Sequence, residues 1–133
     1  MAETPTQKSL PGSLVSTQNQ LEAYDPNSPF TFINTFILPS PDVEEAFLES
    51  WANVARFMKT QHGLISAQLY RGCPDKDNRN NIFTMVVVWE SVLAYREMLQ
   101  NPELLKVHRG FPEGTEEFYV MATKVAVPGV CTA

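Results

Sequence analysis

Residues Phe30 to Leu38 constrain this chain more than any other segment, because an extended strand there needs cover on both sides. The run is dense in Phe, Ile and Thr, which suit a pleated surface. Side chains alternate along a strand, so Phe32, Asn34, Phe36 and Leu38 share one face. Thr31, Ile33, Thr35 and Ile37 share the other. Both faces are mainly apolar. Asn34 is the one polar group on the first of them, and a buried amide costs a few kcal/mol unless it is hydrogen-bonded.

The residues after this strand supply its cover. In Pro39-Ser40-Pro41-Asp42, Ser40 is a good N-cap and Pro41 suits the first helical position. A helix is expected over 41–61, with Val43, Phe47, Trp51, Val54 and Met58 as one apolar stripe. Gly63 closes it. A second strand follows over 64–71, and the polar stretch 73–81 reads as a solvated loop. A third strand is expected over 82–89. Next comes a helix with Leu93, Ala94 and Met98 inward, broken at Asn101-Pro102. A short helix over 103–109 and a last strand over 118–127 complete the order β-α-β-β-α-β. This is an α+β, ferredoxin-like arrangement with a four-stranded antiparallel sheet and both helices on one face. The opposite face, with Ile33, Thr35 and Ile37, lacks cover within one chain, so a homodimer is expected.

Residues 1–28 contain Pro5, Pro11 and Pro26 and few clustered apolar side chains. They are expected to be a flexible extension, mostly disordered or a loose arm around a partner. The domain proper is placed at 29–128, with a tail over 129–133. The formal net charge is −5, from 15 acidic and 10 basic residues, so the excess of cations that neutralises phosphates is missing and nucleic acid is not an expected partner. No apolar run approaches the roughly 18 residues that would span a bilayer. Cys73 and Cys131 form no paired motif and read as free thiols of a cytoplasmic protein. His62 and His108 lack paired-ligand spacing, so no metal is expected. Neither a Gly-rich phosphate loop nor a nucleophile elbow is present.

Several of these segments match a known family in order and spacing. They are Phe32-Ile33-Asn34-Thr35-Phe36, the 45–58 helix, His62-Gly63-Leu64-Ile65-Ser66 and Val88-Trp89-Glu90-Ser91 followed by Ala94-Tyr95-Arg96. Together, over roughly residues 30–126, the chain resembles antibiotic biosynthesis monooxygenase domains. The resemblance implies a dimeric α-β barrel and a cofactor-free oxygenase of secondary metabolism. Within the family, the chain resembles anthrone monooxygenases of the actinorhodin type. Their pocket Trp, Tyr and Arg correspond to Trp89, Tyr95 and Arg109, whereas their pocket Asn corresponds to Met85. The haem-degrading branch implies an Asn, a Trp and a His; Asn34 and His108 match, but the Trp position is Met98.

Cofactor-free oxygenation needs an electron-rich substrate whose enolate reacts with O₂ in a dry pocket. The expected substrate is a small, largely apolar polyketide-like aromatic. Candidate catalytic residues are Tyr95, His108, Arg109 and Asn34, with Trp89, Phe32, Phe36, Trp51, Met85 and Met98 as substrate-binding walls. Each has a purely structural alternative. Trp89 suits a core, and His108 and Arg109 favour the negative end of a short helix. A non-oxidative cyclase, isomerase or decarboxylase, or a non-catalytic binding protein, would draw on the same residues.

Overall fold

The computed structural model describes residues 2–133. In chain order the elements are β1 (Ala2–Glu3), β2 (Thr6–Lys8), α1 (Thr17–Ala23), β3 (Phe30–Ile37), α2 (Glu44–Lys59), β4 (Leu64–Arg71), β5 (Ile82–Trp89), α3 (Val92–Leu99), α4 (Pro102–His108), β6 (Phe111–Pro112) and β7 (Glu116–Ala122). The two-faced strand β3 sits at the centre of the sheet, as its pattern requires. The strand order is β2-β7-β3-β5-β4. The four strands expected from the sequence each run antiparallel to their neighbours. The sheet nevertheless has five strands and is mixed, because β2 pairs parallel with the free edge of β7. The short β1 pairs with β6.

The segment before residue 29 is thus not the disordered arm expected from its composition. It packs on its own chain. Exposed backbone along the edge of β7 offers hydrogen bonds that few apolar residues are needed to exploit. Ser16 caps α1 by accepting from the Asn19 N–H at 3.2 Å.

Inward residues of β3, β5 and β7 form one layer of the core, and α2, α3 and α4 cover them. Phe36, Phe47, Phe83 and Phe111 pack ring against ring, with centroids 4.8 to 5.6 Å apart. Ser40 accepts from the Asp42 N–H at 3.1 Å and starts a 3₁₀ turn at 41–43 that feeds α2. The expected stripe on α2 holds, with Phe47, Val54 and Met58 buried and Val43 and Trp51 partly exposed.

Two expectations shift in register. Leu93 is exposed, and the inward positions of α3 are Val92, Ala94, Tyr95 and Met98. Ser91 caps this helix through the Ala94 N–H, which fixes its rotation so that 92, 95 and 98 line up at helical spacing. The last strand spans 116–122 rather than 118–127. Its partner β3 runs out at the Thr31–Ala122 pair, and residues 127–131 close a small turn of their own.

The outer face of the sheet carries Ile33, Val86, Val88, Phe118 and Val120, all partly exposed. Gly63 ends the turn after α2 with φ +89°, and a Cβ there would lie 2.4 Å from the Ala94 Cβ. Gly63→Ala combines left-handed backbone strain with that clash, and is expected to lower unfolding free energy by about 1–3 kcal/mol in a denaturant titration.

Candidate active site

Between the inner sheet face and the helices lies a cavity of about 460 Å³. Six elements of the sheet and the helical layer supply most of its walls. Strand β3 contributes Phe32, Asn34 and Phe36, strand β5 contributes Met85, Val87 and Trp89, and β7 contributes Glu117 and Tyr119. From the helical layer come Val54 and Met58 of α2, Tyr95, Met98 and Leu99 of α3, and Leu104 and His108 of α4.

The polar groups in this apolar hollow converge on one carboxylate. In the antiparallel ladder Asn34 stands opposite Tyr119, and Phe36 opposite Glu117. Asn34 and Glu117 are therefore diagonal neighbours on the same face. The Asn34 Nδ2 donates to Glu117 Oε1 at 3.2 Å. His108, at the last helical position of α4, brings Nε2 to within 3.1 Å of the same oxygen. Glu117 is only 3% exposed. A charge so deeply placed must be paired and hydrogen-bonded, and the amide and imidazole do this from two layers of the fold. An ionised carboxylate only accepts, so Asn34 must present its NH₂ group to it. The Asn34 Oδ1 is consequently left buried without a hydrogen-bond partner.

Two phenols face the carboxylate. Burial raises the pKa of Tyr95, and the nearby Tyr119 and Glu117 raise it further. Burial raises Tyr119 as well, again with help from the Glu117 charge. Both hydroxyls therefore stay neutral across the ordinary pH range. Tyr95 is fixed by rings on three sides. Phe30 meets it edge-on at 5.5 Å, Phe32 tilts against it at 5.4 Å and Trp89 meets it edge-on at 5.5 Å. Tyr119 is backed by Phe32 at 5.3 Å.

Most of the residues singled out from the sequence meet here: Asn34, Tyr95, His108, Trp89, Phe32, Phe36, Met85 and Met98 all line the cavity. Two do not. Arg109 is exposed and is the C-cap of α4. It follows His108 by one residue, about 100° further around the helix, and its side chain stands on the solvent side. Trp51 stands behind the wall, and its Nε1 contacts the Met85 Sδ at 3.1 Å. Two site residues were missed: Tyr119, which lies within the expected last strand, and Glu117, which falls just before the expected start of that strand at residue 118. Extending the alternation of Tyr119 and Met121 back by two residues would have put Glu117 on the inner face. His108 spends Nε2 on Glu117, and Met98 stands at the Trp position, so the residues present do not fit a haem.

The family model for antibiotic biosynthesis monooxygenases matches residues 29–110, more than half of the chain. The chain belongs to the antibiotic biosynthesis monooxygenase family. Solved structures share its fold. SnoaB, a cofactor-independent oxygenase from Streptomyces nogalater, is 22% identical, with a TM-score of 0.64 over 77% of this chain and 98% of its own. A protein of Shewanella loihica PV-4, provisionally named a monooxygenase, is 26% identical, with a TM-score of 0.57 over 75% of this chain and 97% of its own. No curated protein matches this member of the family. No helix among the described residues is long and apolar enough to cross a membrane.

The phenols give the site a testable electrostatic signature. Glu117→Gln removes the negative charge that disfavours tyrosinate, so Tyr119 should ionise at lower pH than in the wild type, read by ultraviolet titration. The raised phenol pKa values also link stability to pH. Tyr95 and Tyr119 bind protons more tightly folded than unfolded. Their contribution is therefore complete below the ordinary tyrosine value of 10.0 and is lost as pH rises through the folded values. Denaturant midpoints should fall from about pH 10 upward, and less steeply in Tyr95→Phe.

Proposed function

We propose that the chain is a cofactor-independent monooxygenase that oxidises an anthrone-type aromatic through its enolate. The observation that carries this reading is the buried Asn34–Glu117–His108 cluster in an apolar cavity, with two neutral phenols beside it. Family membership and the fold shared with SnoaB support it.

In this reading the flat substrate enters with its rings against Phe32, Met85, Met98 and Trp89. Its activated CH₂ group faces the His108–Glu117 pair, which takes one proton from carbon. The electron pair moves to the carbonyl oxygen, and the Tyr95 and Tyr119 hydroxyls stabilise the resulting oxyanion. Such preorganised donors contribute most in a dry site. The unpaired Asn34 Oδ1 accepts a phenolic O–H of the substrate and holds its orientation. The enolate passes electrons to O₂ and forms a carbon–oxygen bond. The peroxide takes up the proton, and loss of water leaves a quinone. One oxygen atom ends in the product and the other in water, so no external reductant is required.

The oxygen electrode tests this. Wild-type protein in metal-free, flavin-free buffer should consume O₂ with an anthrone and release the quinone. His108→Ala and Glu117→Gln should each lower kcat by about 10²–10⁴-fold, the usual contribution of a general base. A product of unchanged mass with no O₂ uptake would instead identify the non-oxidative isomerase or cyclase. Stable binding without any turnover would identify a binding protein.

The same reading places a second copy of the chain on the outer sheet face, where Ile33, Val86, Val88, Phe118 and Val120 remain partly exposed. A two-fold axis makes such an apolar face its own complement. Light scattering should give twice the 15.0 kDa chain mass. Val86→Asp should shift the mass to one chain, and a wild-type monomer would remove the dimer from the account.

A further inference from the structure

The cavity is completed by residues that the family match does not reach. That match begins at residue 29, yet Gln7, Thr17, Gln18 and Leu21 line the cavity. SnoaB is covered over 98% of its own length by 77% of this chain, so nearly a quarter of this chain lies beyond that likeness. Thr17 and Leu21 are spaced i,i+4 and Gln18 and Leu21 i,i+3, so Thr17 and Gln18 are both neighbours of Leu21 on one side of α1.

The way α1 is held explains how so polar a segment reaches this position. Strand β2 pairs with residues 116–118 of β7 and then leaves. From there Gln20 takes over the edge with its side chain. Its amide Nε2 donates to the Met121 carbonyl and its Oε1 accepts from the Met121 N–H, both at 3.0 Å. The Thr17 hydroxyl donates to the Tyr119 carbonyl at 3.4 Å. From the helical layer, the Arg96 guanidinium donates to the Leu21 carbonyl. Glutamine thus substitutes for a strand residue, and the helix bridges β7 and α3 across the open side of the cavity.

We propose that the N-terminal segment is an intrinsic wall of the substrate cavity, and that Thr17, Gln18 and Leu21 are its specificity-determining residues. This rests on the cavity being the substrate site proposed above. Leu21 limits how far an apolar ring system extends toward β7, while Thr17 and Gln18 meet a polar substituent at that edge. The preferred ligand is a flat aromatic that is apolar along most of its length and carries a hydroxyl or carbonyl at the end near α1. The wall is also the part that yields for entry. α1 has seven residues and none of them is buried, and so short a helix has little stability apart from its anchors.

Equilibrium binding in the absence of turnover tests this, using a hydroxylated anthraquinone and a smaller hydroxylated naphthoquinone as probes. Quenching of tryptophan fluorescence reports occupancy, since Trp89 lines the cavity. Leu21→Trp should weaken the three-ring probe by about tenfold or more, the usual scale for a misfitted apolar pocket, with little effect on the two-ring probe. Leu21→Ala should shift preference toward the larger probe. Gln20→Ala, which removes an anchor but no wall, should speed association and release of both. Asn19→Ala, on the solvent side of α1, should change nothing. Affinities and rates equal to wild type in all the Leu21 and Gln20 variants, with unchanged circular dichroism, would overturn the proposal, as would a wild type that binds neither probe. Size-dependent binding without O₂ consumption would retain the wall and remove only the oxygenase reading.

Discussion

A carboxylate held in an apolar hollow dominates the organisation of this molecule. Glu117 is almost fully buried, and an ion there is tolerated only with good partners. That requirement explains features that otherwise look unrelated. It fixes which end of the Asn34 amide faces Glu117 and which end is left without a hydrogen-bond partner. It accounts for α4 ending where it does, with His108 as the residue that reaches across to the sheet. It also contributes to the raised pKa values of Tyr95 and Tyr119. Burial is the larger cause of both shifts, and the Glu117 charge adds to it.

The rest of the core divides the work of holding this cluster. At one end, the four-phenylalanine stack around Phe36 and Phe111 forms a rigid floor. At the other, Phe30, Phe32 and Trp89 clamp Tyr95. Between them Met58, Met85 and Met98 line the cavity. Methionine is unbranched and polarisable, so these walls adapt to a flat ligand where phenylalanine would not. A polar cluster between an aromatic floor and an adaptable methionine wall is the arrangement on which the proposed function rests.

Much of this was legible in the sequence, for physical reasons that differ from residue to residue. The pattern of β3 is two-sided, and only a central strand satisfies it. Ser40 and Gly63 are local signals whose effect does not depend on tertiary context, and each acts where its type predicts. Asn34 stood out because a lone amide on an apolar face requires a partner. Its partner did not, because the last strand was expected to begin at residue 118, one short of the alternating position that Glu117 occupies on the inner face. The N-terminal segment was misread for a different reason. Composition reports how much apolar surface a segment can bury, whereas α1 is held by side-chain amide and hydroxyl bonds to the edge of β7. Arg109 was assigned by resemblance, and one residue of helical rotation carries it away from the cavity.

In the function proposed for the chain, one cavity brings a reactive carbon to the His108–Glu117 pair and an oxyanion to the two phenols. A crystal structure of the protein with a bound hydroxyanthraquinone, the product analogue, tests it most directly. The account predicts one carbonyl oxygen within hydrogen-bonding distance of the Tyr95 and Tyr119 hydroxyls, the opposite ring carbon facing His108 and Glu117, and a phenolic O–H donating to Asn34 Oδ1. A ligand seated outside the cavity, or one whose oxygens leave Asn34 and both phenols unengaged, would contradict it.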